Sequence, residues 1–142
     1  MTSASTTNAA NKSKIVVGVD DAQEGLDLLR LAVEAAGYTF FGAKSGSECL
    51  ELLYRVVPQL ILLDIEMPDP NGFETCRRIR GLPGFDQVPI AFLTARKTTQ
   101  DVKSGVAAGG DDFIVKPYDI LKLVDRVKHW TGRRVTRVKL GS

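Results

Sequence analysis

Cysteine is scarce in this chain of 142 residues, and the two present, Cys49 and Cys76, lie far apart. They lack the close spacing of a metal knuckle or a redox dithiol, which excludes both and leaves them as small apolar side chains inside two different helices. No apolar run reaches the length needed to cross a membrane, and the N-terminus lacks the basic-then-apolar order of a signal peptide. A cytoplasmic protein without membrane contact is therefore expected. Apolar bulk is nearly absent from Met1–Ser13, a Ser/Thr/Ala/Asn-rich stretch. It cannot bury enough surface to offset chain entropy and is expected to form a disordered tail, residues 1–13. Acidic residues are missing after Asp125, while six basic ones follow it (Arg126, Lys128, Arg133, Arg134, Arg137, Lys139). The chain up to Asp125 thus holds 13 of the 19 basic residues against all 17 acidic ones, a net −4, although the whole carries +2.

With 44% hydrophobic residues, one domain with its own core is expected, over residues 14–130. Apolar runs predict strands at Lys14–Val19, Tyr38–Ala43, Leu60–Asp64, Pro89–Leu93 and Asp112–Val115. Helices fill the intervals. Leu28, Leu29, Ala32, Val33 and Ala36 recur at helical spacing over Gln23–Ala36, and Gly37 supplies a stop. Ser45 and Glu48 fit a capping box that opens a second helix ending before Pro58. Further helices are expected at Phe73–Arg80, Thr99–Ala108 and Tyr118–Trp130, the last with Asp119 as a cap. Five strands alternating with five helices imply an α/β fold, a parallel sheet covered on both faces through right-handed crossovers.

Acids gather where such strands end. Asp64 closes the run Leu60-Ile61-Leu62-Leu63, and Asp20-Asp21 follow Ile15-Val16-Val17-Gly18-Val19. The carboxyl ends of strands are where open α/β sheets bind ligands, and three acids there suggest a hard-cation site. Two other strands end in Thr94 and Lys116. A hydroxyl and an ammonium beside three carboxylates can hold a phosphoryl group.

In order along the chain stand the pair Asp20-Asp21, the loop Asp64 through Gly72, the strand end Leu93-Thr94-Ala95, and the run Gly109 through Pro117. In these pieces the chain resembles the receiver domain of bacterial two-component response regulators, from about Lys14 to about Trp130. Any one piece occurs by chance; four in the family's order and spacing do not. The resemblance implies a single flavodoxin-like (βα)5 domain with strand order 2-1-3-4-5, which sets the first and third strands side by side at the topological switch point. It implies Mg²⁺ as cofactor, bound directly by Asp21 and Asp64, through water by Asp20, and by the backbone carbonyl of Glu66. Asp64 is then the nucleophile that takes a phosphoryl group from a sensor histidine kinase or a histidine phosphotransfer protein. Lys116 pairs with the phosphoryl oxygens, Thr94 donates its hydroxyl to them, and small Ala95 leaves their approach open. Lys116–Pro117 is expected to be a cis peptide. Thr94 and Phe113 are implied as the switch that alters the face formed by the fourth helix, fifth strand and fifth helix, where a downstream protein or a second copy binds. No enzymatic activity beyond this self-phosphotransfer and autodephosphorylation is expected.

Departures from the commonest pattern are Phe113 in place of tyrosine, and Glu66 and Arg96 at the rim, which either pair across the entrance or stay solvated. Gly18 inside a strand points to close packing of a helix on the sheet. Asp111-Asp112 read as turn residues, and Asp69 and Glu74 as solvated charges. A haloacid-dehalogenase-type phosphatase shares the parts list, but needs a second Asp where Glu66 stands and an acid pair late in the domain. A flavin carrier would find its phosphate repelled by Asp20-Asp21. A pseudo-receiver that only binds partners is the third alternative. Residues 131–142 read as a short basic tail or linker remnant ending in a Gly-Ser cloning scar. They are too few for a DNA-binding output domain, so direct nucleic-acid binding is not expected. A stand-alone receiver and one cut from a longer regulator both remain open.

Overall fold

The computed structural model describes residues 14–132. Five strands and five helices alternate: β1 (Ile15–Val19), α1 (Gln23–Ala35), β2 (Thr39–Ala43), α2 (Gly46–Leu52), β3 (Leu60–Asp64), α3 (Gly72–Arg80), β4 (Ile90–Thr94), α4 (Thr99–Ala108), β5 (Asp112–Val115) and α5 (Ile120–Thr131). The strands form one parallel sheet in the order β2-β1-β3-β4-β5. This is the expected flavodoxin-like arrangement. The tail at 1–13 and the basic positions from 133 onward lie outside the described residues.

Alternation along the strands sends side chains into two cores. Val17, Val19, Ile61, Leu63 and Phe92 pack under α2, α3 and α4. Val16, Leu60, Leu62, Ala91, Leu93 and Ile114 pack under α1 and α5. Every residue of β3 and β4 is buried, the signature of central strands covered on both faces. Cys49 and Cys76 are buried thiols within α2 and α3, that of Cys76 donating to the Ala108 carbonyl at 3.3 Å, and burial pushes the Cys49 thiol up to about 12. No helix among the described residues is long and apolar enough to cross a membrane.

Local chemistry sets the element ends. Gly37 takes φ +93 after α1, letting its own N–H bond Glu34 and that of Tyr38 bond Val33. Gly109 (φ +101) closes α4 in the same way. Thr98 and Asp101 form a full capping box at α4. The box expected at α2 is only half made. Ser45 Oγ accepts from Glu48 N at 3.0 Å, but the Glu48 carboxylate takes the amide of Lys44 instead of Ser45. That helix also stops at Leu52, well short of Pro58, because Val56-Val57 before a proline disfavour helical backbone. α5 starts at Ile120, two residues later than expected, since Asp119 caps it by accepting from Leu121 N. β4 runs one residue past Leu93 because the Thr94 carbonyl accepts from Lys116 N at 2.7 Å.

The acid pair at 111–112 turns out to be structural. Asp111 accepts from Ile90 N and from Arg80, whose guanidinium also donates to the carbonyls of Phe85, Val88 and Gly109. One arginine thereby ties the loop before β4 to the turn before β5, at the end of the sheet remote from Asp64. Asp112 accepts from Arg126 and from Trp130 Nε1 (2.8 Å), fastening α5 to β5. Gly18 answers to close packing, though chiefly of the neighbouring strand: an added Cβ would lie 2.6 Å from the Phe40 ring and 3.0 Å from Leu29 of α1.

Gly72 is the tightest backbone crossing near Asp64. A Cβ there would sit 2.4 Å from the Asp64 carbonyl oxygen and 2.7 Å from Ile65 Cα, neither of which can rotate away. Gly72→Ala is expected to cost about 2 kcal/mol, the usual scale of overpacking. Urea unfolding checks this, and an unchanged midpoint would refute the steric reading.

Candidate functional site

β1 and β3 are adjacent, so their carboxyl ends bring Asp20, Asp21 and Asp64 together. One carboxylate oxygen from each lies within 4.8 Å of the others. Asp20 and Asp64 are 3% and 2% exposed, while Asp21 faces solvent. Room for Asp20 is made by Gly25 on α1, where a Cβ would fall 2.0 Å from Asp20 Oδ2. Each buried carboxylate is held by a local amide: Asp20 Oδ1 accepts from Ala22 N at 2.9 Å and Asp64 Oδ1 from Glu66 N at 3.1 Å.

Lys116 enters from the end of β5. Its Nζ donates to Asp64 Oδ2 at 3.1 Å and stands 3.7 Å from Asp20 Oδ2. The Lys116–Pro117 peptide is cis, as expected, and so is Asp69–Pro70. Burial raises the Asp64 carboxyl above its ordinary range; Lys116 pulls it back, Asp20 pushes it further up, and the Glu66 amide lowers it. For Lys116, burial lowers the ammonium, but the hydrogen bond and charge of Asp64, with Asp20 behind it, outweigh burial and leave it above the usual lysine value. One ammonium cannot neutralise three carboxylates, and all available donors are hard oxygens. That set suits a small divalent cation.

Thr94 ends β4, the strand next to that of Asp64, and is buried. Its Oγ1 lies 2.7 Å from Glu66 Oε2, within donating distance, and accepts from Arg96 N. The second Glu66 oxygen lies 3.4 Å from the Ala95 amide. Among the described residues Glu66 makes no ion pair with Arg96; its carboxylate turns to Thr94 instead. Phe113 of β5 packs its ring against Phe92 (5.3 Å between centroids), in a slot that exists because residue 105 is glycine, whose Cβ would lie 2.4 Å from the ring.

Two contributors escaped the sequence reading. Gly25 gave no motif signal at all. Tyr118, two after Lys116, lines an open cleft of about 510 Å³ with Asp20, Ala22, Leu28, Ala95 and Pro117. Burial raises its phenol, with Lys116 opposing and the two aspartates adding to the rise. Glu74 is partly exposed and pairs with Arg77 and Arg78 on α3, away from the acid cluster.

A carboxyl raised on folding favours the folded chain while protonated and opposes it once ionised. The Asp64 contribution to stability is therefore lost as pH rises through its raised titration range. Two outcomes are expected in thermal melts at neutral pH. Asp64→Asn raises the metal-free melting temperature by about 2–5 °C, and millimolar Mg²⁺ raises that of the wild type but not of the variant. A wild-type melt indifferent to Mg²⁺ would contradict a cation site.

Residues 16–128 match the family model described as Response regulator receiver domain. Solved structures agree. The chain is 33% identical to a protein described as a response regulator of Chloroflexus aurantiacus (TM-score 0.77; 84% of this chain and 98% of that one). It is 28% identical to the signal receiver domain of a signal transduction histidine kinase from Syntrophus aciditrophicus (TM-score 0.76; 90% and 98%). It is also 26% identical to the chemotaxis protein CheY4 of Vibrio cholerae (TM-score 0.78; 81% and 96%).

Proposed function

The chain belongs to the response regulator receiver family, and on that premise we propose that it accepts a phosphoryl group on Asp64 from a histidine kinase or a histidine phosphotransfer protein. What supports the reading most is one contact: Asp64 Oδ2 held 3.1 Å from Lys116 Nζ, beside two further carboxylates at the β1/β3 junction. The Asp64 oxygen attacks phosphorus; a P–O bond forms as the P–N bond to the donor imidazole breaks, and the imidazole, already protonated on its other ring nitrogen, leaves neutral. Lys116 stays close enough to turn from the carboxylate to the phosphoryl oxygens, and Thr94 offers its hydroxyl from the end of β4. Asp21, Asp64 and the Glu66 carbonyl, with Asp20 acting through water, are the groups to hold Mg²⁺, which when bound supplies charge neutralisation. Such transfer asks mainly for positioning and charge balance.

The output surface in this reading is the face of α4, β5 and α5. It carries the exposed apolar residues Val106, Val115 and Leu121. Phe113 packs against Phe92 and Gly105, and in this reading its ring carries a change at Thr94 to the face. A downstream protein or a second copy is the partner proposed there. The basic segment at 133–139, expected to gather acidic partners, lies outside the described residues.

Incubation with acetyl phosphate and Mg²⁺ is expected to add one phosphoryl mass, and Asp64→Asn or chelation to abolish it. Retained modification in Asp64→Asn would remove Asp64 as acceptor. For the switch, beryllofluoride is expected to shift amide resonances at Phe113 and across the α4–β5–α5 face in wild type, and much less in Thr94→Ala. Changes confined to the loops after β1 and β3 would mean that no such switch operates.

A further inference from the structure

Glu66 has no role in the transfer so far beyond its backbone carbonyl and amide, yet its side chain makes the most specific contact at the rim. The two oxygens of one carboxylate face two donors, the Thr94 hydroxyl at 2.7 Å and the Ala95 amide at 3.4 Å. Those groups stand at the end of β4, the strand paired with β3 where Asp64 ends it, and in the phospho-acceptor reading they are the hydroxyl and amide that an anion seated on Asp64 would seek. The three aspartates at the same end of the sheet do not favour a fourth carboxylate. The hydrogen bonds hold it there. A hydroxyl has one proton, and the alternative acceptor within reach of Thr94, the Arg96 carbonyl, is also at 2.7 Å. A carboxylate is the stronger acceptor of the two and takes the proton.

We propose that Glu66 is an internal occupant of the phosphoryl-binding donors: its carboxylate must leave Thr94 and Ala95 before a phosphoryl group on Asp64 can use them. The inference rests on the phospho-acceptor reading of Asp64 and adds to it a built-in competitor. Its consequence is a threshold. Affinity for a phosphoryl-like anion is set by the difference between two anions bidding for one hydroxyl and one amide, and Glu66 returns when the group is lost. Because Glu66 is exposed apart from this contact, it can swing into solvent without disturbing the core.

Glu66→Asp separates occupancy from charge, since it keeps the charge but withdraws it by one methylene. Beryllofluoride with Mg²⁺ is the probe, titrated calorimetrically into wild type, Glu66→Asp, Thr94→Ala and the double variant. The expected result is an affinity gain of about tenfold for Glu66→Asp, the low end of the scale of one hydrogen bond to a charged group, and no gain from the same change in the Thr94→Ala background. In the metal-free chain, without beryllofluoride, Glu66→Asp is also expected to move the Ala95 amide proton upfield as its acceptor withdraws. An unchanged affinity, or an equal gain with and without the Thr94 hydroxyl, would overturn the proposal while leaving Asp64 as acceptor. Absence of beryllofluoride binding to both wild type and Glu66→Asp would instead remove the acceptor reading, and the competitor with it.

Discussion

Three carboxylates forced to one edge of a sheet against a single ammonium is the constraint on which the rest of this molecule turns. Asp20 and Asp64 are buried, Lys116 reaches both, and burial raises the Asp64 carboxyl despite that lysine. An arrangement selected for stability alone would not keep it. It persists because the sheet order places β1 beside β3 and because the surrounding backbone leaves the acids nowhere else to go. Gly25 gives Asp20 its space, Gly72 lets the returning loop cross directly behind Asp64, and amides of Ala22 and Glu66 fix the two carboxylates. A small divalent cation and a phosphoryl group are the partners that turn such stored repulsion into binding.

The opposite end of the sheet does the holding. Arg80 gathers the carbonyls of Phe85, Val88 and Gly109 with the Asp111 carboxylate, and Asp112 secures α5 through Arg126 and Trp130. Both clusters are satisfied polar networks, which order the loops they join. Near the site the polar contacts run between side chains instead: Lys116 lies between two aspartates and Glu66 over Thr94.

Much of this was legible in the amino-acid order, for identifiable reasons. The limits of β3 and β5 emerge directly because apolar runs meet an acid or a Pro near each end, and those of α4 because Thr98 caps its start and Gly109 its end. Asp20, Asp21, Asp64, Thr94 and Lys116 were found because each follows such a run, so their positions follow from topology without side-chain geometry. Family membership removes the phosphatase and flavin-carrier alternatives that the parts list alone permitted. What stayed hidden depends on rotamers or on long-range approach. Whether Glu66 meets Arg96 or Thr94 is decided by a side-chain torsion. The roles of Gly25 and Gly105 appear only when Asp20 and the Phe113 ring arrive beside them. At Ser45 and Glu48 the motif was present but the partner amide lay one residue earlier, a shift no spacing rule contains.

The central claim is that the buried carboxylate of Asp64, among all 17 acidic residues of the chain, is the one that becomes an acyl phosphate. Borohydride reduction of the chain phosphorylated with acetyl phosphate and Mg²⁺, followed by peptide sequencing in the mass spectrometer, reads this directly, because reduction converts an aspartyl phosphate to homoserine. The account predicts homoserine at position 64 and at no other. Homoserine at position 20 or 21, or a stable phosphoryl group on another side chain with position 64 unchanged, would contradict it.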